Sequence, residues 1–531
     1  MSSLKTLLAA VGVAVGLAVT PVAAQESGGT LVMVVQPEPP NLAPYLSTSG
    51  PIGQVASKVY EGLITVGPDF KIMPGLAKSW EVSDDGLTIT FHLQEGVKWH
   101  DGEPFTSADV QYGIMDVLRE IHPRGGSTLK VIESVDTPDD MTAVFHLAEP
   151  APYLMVALNG YESPIVAKHL FEGGNPRENE TANKPIGTGP FKFVEWKKGQ
   201  YVRFDKNEDY WQDGKPYLDR IVVRFIADAA TRTAAVESEE VQYGAFGAVP
   251  YFDVERLSQL PYIDVTTEGY GYIAPIMQVQ FNTEVKPFDD PKVRQAIAYA
   301  LDRQFVIDNI WFGFGKPATG PISSLFKPTG LYTDEVIDFT VDDRMEKAAA
   351  LLDEAGYPVG SDGVRFTVTH DITPYGEEWS RLGEYVKQAL GQLDIAVDLR
   401  YEDVATWLKR VYTDYDYQFS SNFLYGLPDP VLGVHRQFHS NQIRPGTVFV
   451  NGMKWSSPRT DELMDAATTE TDPEKRAALY KEFQQLVVEA SPIVFMHEME
   501  FVTVYNDMVK NLESTGPLGV YTNFADVWME Q

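Results

Sequence analysis

The segment from Gly75 to Val110 constrains this chain more than any other. Leu87, Ile89, Phe91 and Leu93 alternate with Thr88, Thr90 and His92, the period of a half-buried strand. Asp85-Gly86 and Asp101-Gly102 are turn dipeptides, because glycine accepts positive φ. Thr106, followed three residues later by Asp109, predicts a helix N-cap with an acidic residue in the first turn. The local grammar is strand, tight turn, strand, turn, helix start.

The same grammar continues along the chain. Thr30 to Gln36 reads as a first strand and Pro51 to Gly62 as a helix. Lys130 to Asp136 and Met141 to Leu147 predict a second hairpin. Leu218 to Ala227 reads as a strand before a helix near Asp228 to Ser238, and Tyr272 to Phe281 as a fully buried strand. The second half is richer in helix. Asp290-Pro291 and Asp472-Pro473 each place an N-cap before a Pro at the first helical position. Asp342 to Gly356 and Trp379 to Gln392 are further helices, the latter leading into the strand Ile395 to Tyr401. The whole is a mixed α/β pattern in two halves, with room for roughly two to four domains.

Lys5, the apolar run Leu7 to Val19, Pro21 and the small residues Val22-Ala23-Ala24 predict an export signal over residues 1–24, cleaved near Ala24. The run is shorter than the roughly 20 apolar residues of a membrane span. There is no cysteine, hence no disulfide, no thiolate metal site, no cysteine nucleophile and no Cys to carry a lipid after the cleavage site. The expectation is a free periplasmic monomer rather than a lipoprotein. A net charge of −32 repels nucleic acid and anionic lipid, so neither is an expected partner. The sequence holds no G-x-S-x-G elbow and no G-x-x-x-x-G-K-[ST] loop.

The wording GLAKSWEVSDDGLTITFHLQEGVKWHDGEPFTSADV resembles the signature segment of family 5 of the extracytoplasmic solute-binding proteins of ABC importers. Three further blocks resemble that family, in its order. They are Pro185 to Phe191 with Asn207 to Trp211; Asn282, Phe288 to Asp290 and Val293 to Arg303; and Asp472 to Arg476 with Tyr480, Gln484 and Pro492. The resemblance implies an α/β, two-lobe periplasmic-binding-protein (type II) fold with an extra subdomain in the first lobe. The implied division is a first lobe over 25–281 with the extra subdomain near 76–183, a second lobe over 282–489, and a C-terminal return over 490–531. The implied hinge passes through Ile276–Phe281 and Ile493–Met496. The implied role is capture of a small solute and delivery to a membrane permease, without catalysis and without a cofactor. Within these blocks we read Gly187 and Gly189 as turn glycines, Arg294 as an ion-pair partner of Asp290, and Trp80, Trp99 and Trp211 as core.

The resemblance also supplies candidate ligand contacts. Aligned on Asp429-Pro430, it sets Phe423, Leu424 and Tyr425 beside the ligand. It puts Gly426 where peptide binders carry an acid for the peptide ammonium, leaving Asp429 as the substitute. Trp407 falls where relatives place a cleft tryptophan, as a stacking platform or as core. Tyr45 and Ser47 come from a first-lobe loop facing the cleft. Gly426 tilts the expected solute towards a neutral or non-peptide one, an oligosaccharide or opine-like conjugate. A strict oligopeptide or dipeptide receptor is the alternative. His435 and His439, four apart, keep a nickel or metal-chelate receptor open, and the many carboxylates a secreted saccharide hydrolase, which needs an acid pair across a cleft.

Overall fold

The computed structural model describes residues 25–531; the expected export signal lies outside them. Two large sheets organise the chain. The first runs in the order Ile263–Thr266, Thr503–Asn506, Tyr243–Gly244, Thr30–Val34, Arg220–Arg224, Tyr201–Lys206, Phe191–Lys197. The second runs in the order Gly315–Pro317, Ile493–Met499, Pro275–Phe281, Phe419–Tyr425, Phe366–Asp371, Ile395–Arg400. Each sheet has its own buried apolar core. A third, four-stranded antiparallel sheet, Ala77–Val82, Thr88–Leu93, Thr142–Leu147 and Ile132–Asp139, packs into the first core.

The alternation in Thr88–Leu93 survives as alternating burial, with Ile89, Phe91 and Leu93 inside. Asp85 closes the preceding turn by accepting from the Leu87 amide at 3.0 Å. At Thr106 the predicted cap forms: the Thr106 amide donates to Asp109 Oδ2 at 2.9 Å. Asp109 does more than cap. Its carboxylate also accepts from the Lys168 amide at 2.8 Å and from Trp99 Nε1 at 3.3 Å, so one buried acid ties three segments together. Asp290 and Asp472 likewise start Pro291–Ala300 and Pro473–Ala490, accepting from the Lys292 and Glu474 amides.

Three expectations need correction. Pro275–Phe281 and Ile493–Met499 are neighbouring strands inside the second sheet, so they are not themselves the hinge. The chain crosses between sheets just outside them, at Thr267–Ala274 and at Glu500–Val502. Gly187 and Gly189 do not adopt positive φ. They are required by close approach, because a Cβ would stand 2.0 Å and 2.6 Å from the Val59 carbonyl oxygen. Arg294 makes no ion pair with Asp290. Its buried guanidinium donates to the carbonyls of Phe288, Ala490 and Ser491, closing the open C-terminal end of Pro473–Ala490. Trp99 is core as expected, whereas Trp80 and Trp211 are half-buried. No helix among the described residues is long and apolar enough to cross a membrane.

Candidate functional site

A cavity of about 760 Å³ opens between the two sheets, within the usual range for a small-molecule site. The first-sheet side supplies Gln36, Thr48–Pro51, Arg124 and the loop Phe246–Tyr251. The second-sheet side supplies Trp311, Tyr375, Glu378, Trp379, Phe423–Tyr425, Arg436 and Phe449, and Phe501 comes from the crossing itself. Its wall is largely aromatic. Strand Phe419–Tyr425 puts Phe423 and Tyr425 on one face by its period of two, with ring centroids 5.9 Å apart. Trp379 stacks on Phe423 at 5.9 Å, and Phe501 meets Phe423 edge-on at 6.2 Å. Phe246 is held at a left-handed φ of 55°, a conformation that costs roughly 1–3 kcal/mol outside glycine. Its amide donates to the Tyr270 hydroxyl at 2.9 Å, which fixes the ring against Phe501 at 4.9 Å.

Three charges reach this aromatic wall. Arg124 is bidentate to Glu162, at 2.9 and 2.6 Å. Burial alone would weaken its positive form, but the Glu162 carboxylate outweighs burial and holds its pKa above the ordinary arginine range. Arg436 differs. Its guanidinium donates to the carbonyls of Gly433 and Tyr425, and no carboxylate among the described residues pairs with it. Burial, then repulsion from Arg124, push its pKa down to about 10. It remains charged at neutral pH, with donors to spare. Glu378, next to Trp379 in sequence, also lines the wall.

The sequence-derived residues divide sharply. Phe423, Leu424 and Tyr425 line the cavity. Trp407 does not. It is fully buried in a small cluster with Val411, Tyr412 and Tyr417, and its Nε1 donates to Ser420 Oγ at 3.0 Å. Tyr375 stands in front of it, edge-on at 5.8 Å, and takes the cavity face. Asp429 is not free to receive a ligand ammonium. Arg476 holds both its oxygens, at 2.7 and 2.9 Å, and Oδ1 also caps the following turn through the Val431 amide. Tyr45 is buried against Phe171, its hydroxyl on Thr181. Ser47 accepts from the Ser49 amide, and it is Thr48, Ser49 and Gly50 of that loop that face the cavity. His435 lies against the Tyr480 hydroxyl and His439 against Asp461 and Asp465, so the two do not converge. No group of three or more His, Cys, Asp or Glu side chains among the described residues is placed to hold a metal ion.

A cavity between two sheet-based lobes joined by two crossings is the architecture of a solute-binding protein, and comparison with known proteins agrees. Residues 71–444 match the family described as bacterial extracellular solute-binding proteins, family 5. The chain belongs to this family. Its relatives include the dipeptide-binding protein of Escherichia coli K12, 28% identical over 96% of both chains. Heme-binding protein A of Haemophilus influenzae is 30% identical, over 90% of this chain and 89% of that one. Among solved structures, AgaA of Agrobacterium tumefaciens R10 in complex with agropinic acid superposes with a TM-score of 0.74 at 28% identity, covering 95% of this chain and 99% of the other. The fold is therefore the two-lobe fold of family 5 binding proteins. Family membership does not name the solute, since these three relatives are named for different ones.

The charged groups of the site were missed from sequence. Arg124 comes from the first-sheet side of the cleft, and Arg436 and Glu378 from separate elements of the second-sheet side. No spacing links them; only the tertiary fold brings them to one wall.

Proposed function

We propose that this family 5 protein captures a carboxylate-bearing solute with an apolar or aromatic body and passes it to the permease of an ABC importer. It works by binding rather than turnover, as a monomer, after residues 1–24 direct its export. Arg436 carries this reading: a charged guanidinium with unused donors and no partner carboxylate, set into an aromatic cavity between the lobes. The half-buried Arg436 makes no ion pair among the described residues, and a ligand carboxylate can meet its unused donors through charge-assisted hydrogen bonds. The rings around it suit apolar or planar groups. The dipeptides and agropinic acid named for the relatives each carry a carboxylate.

Ligand binding should favour closure by its higher affinity for the closed form. The test is calorimetry with phenylalanyl-phenylalanine, leucyl-tyrosine and their C-terminal amides. The free acids should bind more tightly than the amides, and Arg436→Met should lower acid affinity roughly ten- to hundredfold, the worth of hydrogen bonds to a charged group. Equal affinity of acid and amide for the wild-type protein would sink this reading.

A further inference from the structure

We infer that Phe70 and Phe326 form a releasable clasp between the two lobes. It holds them at the angle at which both wall the solute cavity. Neither ring lines that cavity, so closure is set in part by a contact that touches no solute. The clasp goes beyond the carboxylate-solute reading and does not depend on which solute is bound.

Phe70 stands in the turn between Ile64–Val66 and Ile72–Pro74, an antiparallel pair whose Ile64 and Val66 are buried in the first core. Phe326 belongs to the helical segment Ser324–Thr329 and is buried in the second core. The two rings meet edge-on, with centroids 5.0 Å apart. The half-buried Phe70 thereby packs against both cores while lying on neither crossing. Local backbone preference does not put it there. Asp69 and Phe70 are consecutive non-glycine residues at left-handed φ, 53° and 60°. Such backbone persists only where the surrounding structure imposes it, and it concentrates at clamps and switch regions.

Both rings are tied to the crossings and to the cavity strand. A Cβ on Gly271, in the first crossing, would stand 3.6 Å from Phe70 Cζ, so this ring lies against that crossing. Phe326 follows Ser323 and Ser324, whose hydroxyls and Ser324 amide donate to the Glu498 carboxylate at 2.6–3.0 Å. Glu498 lies two residues before the second crossing begins at Glu500. A Cβ on Gly426, the residue after the cavity strand Phe419–Tyr425, would stand 3.3 Å from the Phe326 ring. Because each ring is anchored in a different lobe, rotation about the crossings slides one past the other. Phe70 has room for this. It lines two cavities, of about 500 and 240 Å³, each walled by residues of both lobes, whereas a fully enclosed ring is held by close packing. An edge-on aromatic pair contributes beyond its buried area, enough to move a two-state balance about two- to tenfold.

The test reads the lobes directly. The chain has no cysteine, so spin labels on Asp213→Cys and Lys387→Cys, exposed in the first and second lobes, report one inter-lobe distance. In this background the solute-free protein carries Phe70→Ala, Phe70→Gly, Phe326→Ala, or Phe70→Ala with Phe326→Ala. Each single substitution should move the population away from the distance of the structure described here by about two- to tenfold. The double variant should add little to either single one, because both remove the same contact. Phe70→Gly suits the left-handed backbone and lacks only the ring, so it should match Phe70→Ala. Melting temperatures establish folding; should Phe326→Ala fail to fold, the two Phe70 variants decide alone. Unchanged distances in both Phe70 variants overturn the clasp, and so does a double variant whose shift is the sum of the single ones. All of this is read without solute. Failure of phenylalanyl-phenylalanine to bind would therefore sink the carboxylate-solute reading and leave the clasp standing.

Discussion

Two pairs of opposite charges in the second lobe have contrasting fates. Asp429 and Arg476 are bidentate, buried and joined to a helix start. Glu378 and Arg436 stand on the cavity wall, and neither makes an ion pair among the described residues, although Glu162 lies near enough to attract Arg436. The first pair is closed within the fold; the second is open to the cavity. Lack of a partner is not sufficient by itself to mark a binding group. His370 and His497 have both ring nitrogens unpartnered, yet they are buried against Phe419 and Trp311 and face no cavity. Charge, openness and access to the cavity must coincide.

The sharpest attack on the contrast is acid, because it acts on the interior first. Burial pushes the imidazoles of His122, His370, His435 and His497 down to about 3, and that of His100 to about 4. Unfolding releases them to an ordinary pKa near 6.5. The unfolded chain therefore binds more protons between these limits, and stability falls as pH drops from about 6.5 towards 3. Asp371 opposes this, since burial holds its carboxyl up at about 6, and burial likewise raises the carboxyls of Glu61 and Glu500, but these are three groups against five. A tenfold difference in proton affinity between folded and unfolded chain is worth about 1.4 kcal/mol, so acid should outweigh any single substitution. Urea melts from pH 7 to pH 4 check it; a flat profile would mean that the imidazoles are not buried as described.

Next comes the closed pair. Asp429→Ala strands the Arg476 cation and should cost about 3–5 kcal/mol of stability, read by urea unfolding, while affinity for phenylalanyl-phenylalanine in the folded protein stays unchanged. Lost affinity at full folding would return Asp429 to the site.

A smaller effect separates the two aromatic layers of the second lobe. Phe423→Ala removes a cavity ring and should weaken probe binding by about 2 kcal/mol, as for a buried aromatic anchor. Trp407→Phe keeps most of the packing but loses the bond to Ser420, and should cost about 1 kcal/mol of stability with little change in affinity. The reverse assignment, measured by calorimetry and melting on the same two variants, would put Trp407 back against the ligand.

Much of the architecture was legible locally. The strand period at Leu87–Leu93, the acid caps at Asp109, Asp290 and Asp472, and the strand through Phe423 and Tyr425 are all encoded within a few residues, because φ/ψ preference, capping and side-chain alternation are short-range effects. The same short-range reading misjudged Gly187, Gly189 and Arg294, whose roles are set by Val59 and by carbonyls nearly 200 residues away in sequence. It could not tell Trp407 from Tyr375 as the cavity face, since both lie in the same lobe and only packing order decides which ring is in front. Nor could it distinguish Asp429 from Glu378, two carboxylates whose chemistry is identical until Arg476 closes on one and the fold leaves the other facing the cleft. By itself the sequence determined the kind of elements and their order, through local conformational energy. Which charges remain free to meet a ligand was decided only when the tertiary structure paired some of them and separated the rest, because electrostatic satisfaction depends on distance in space.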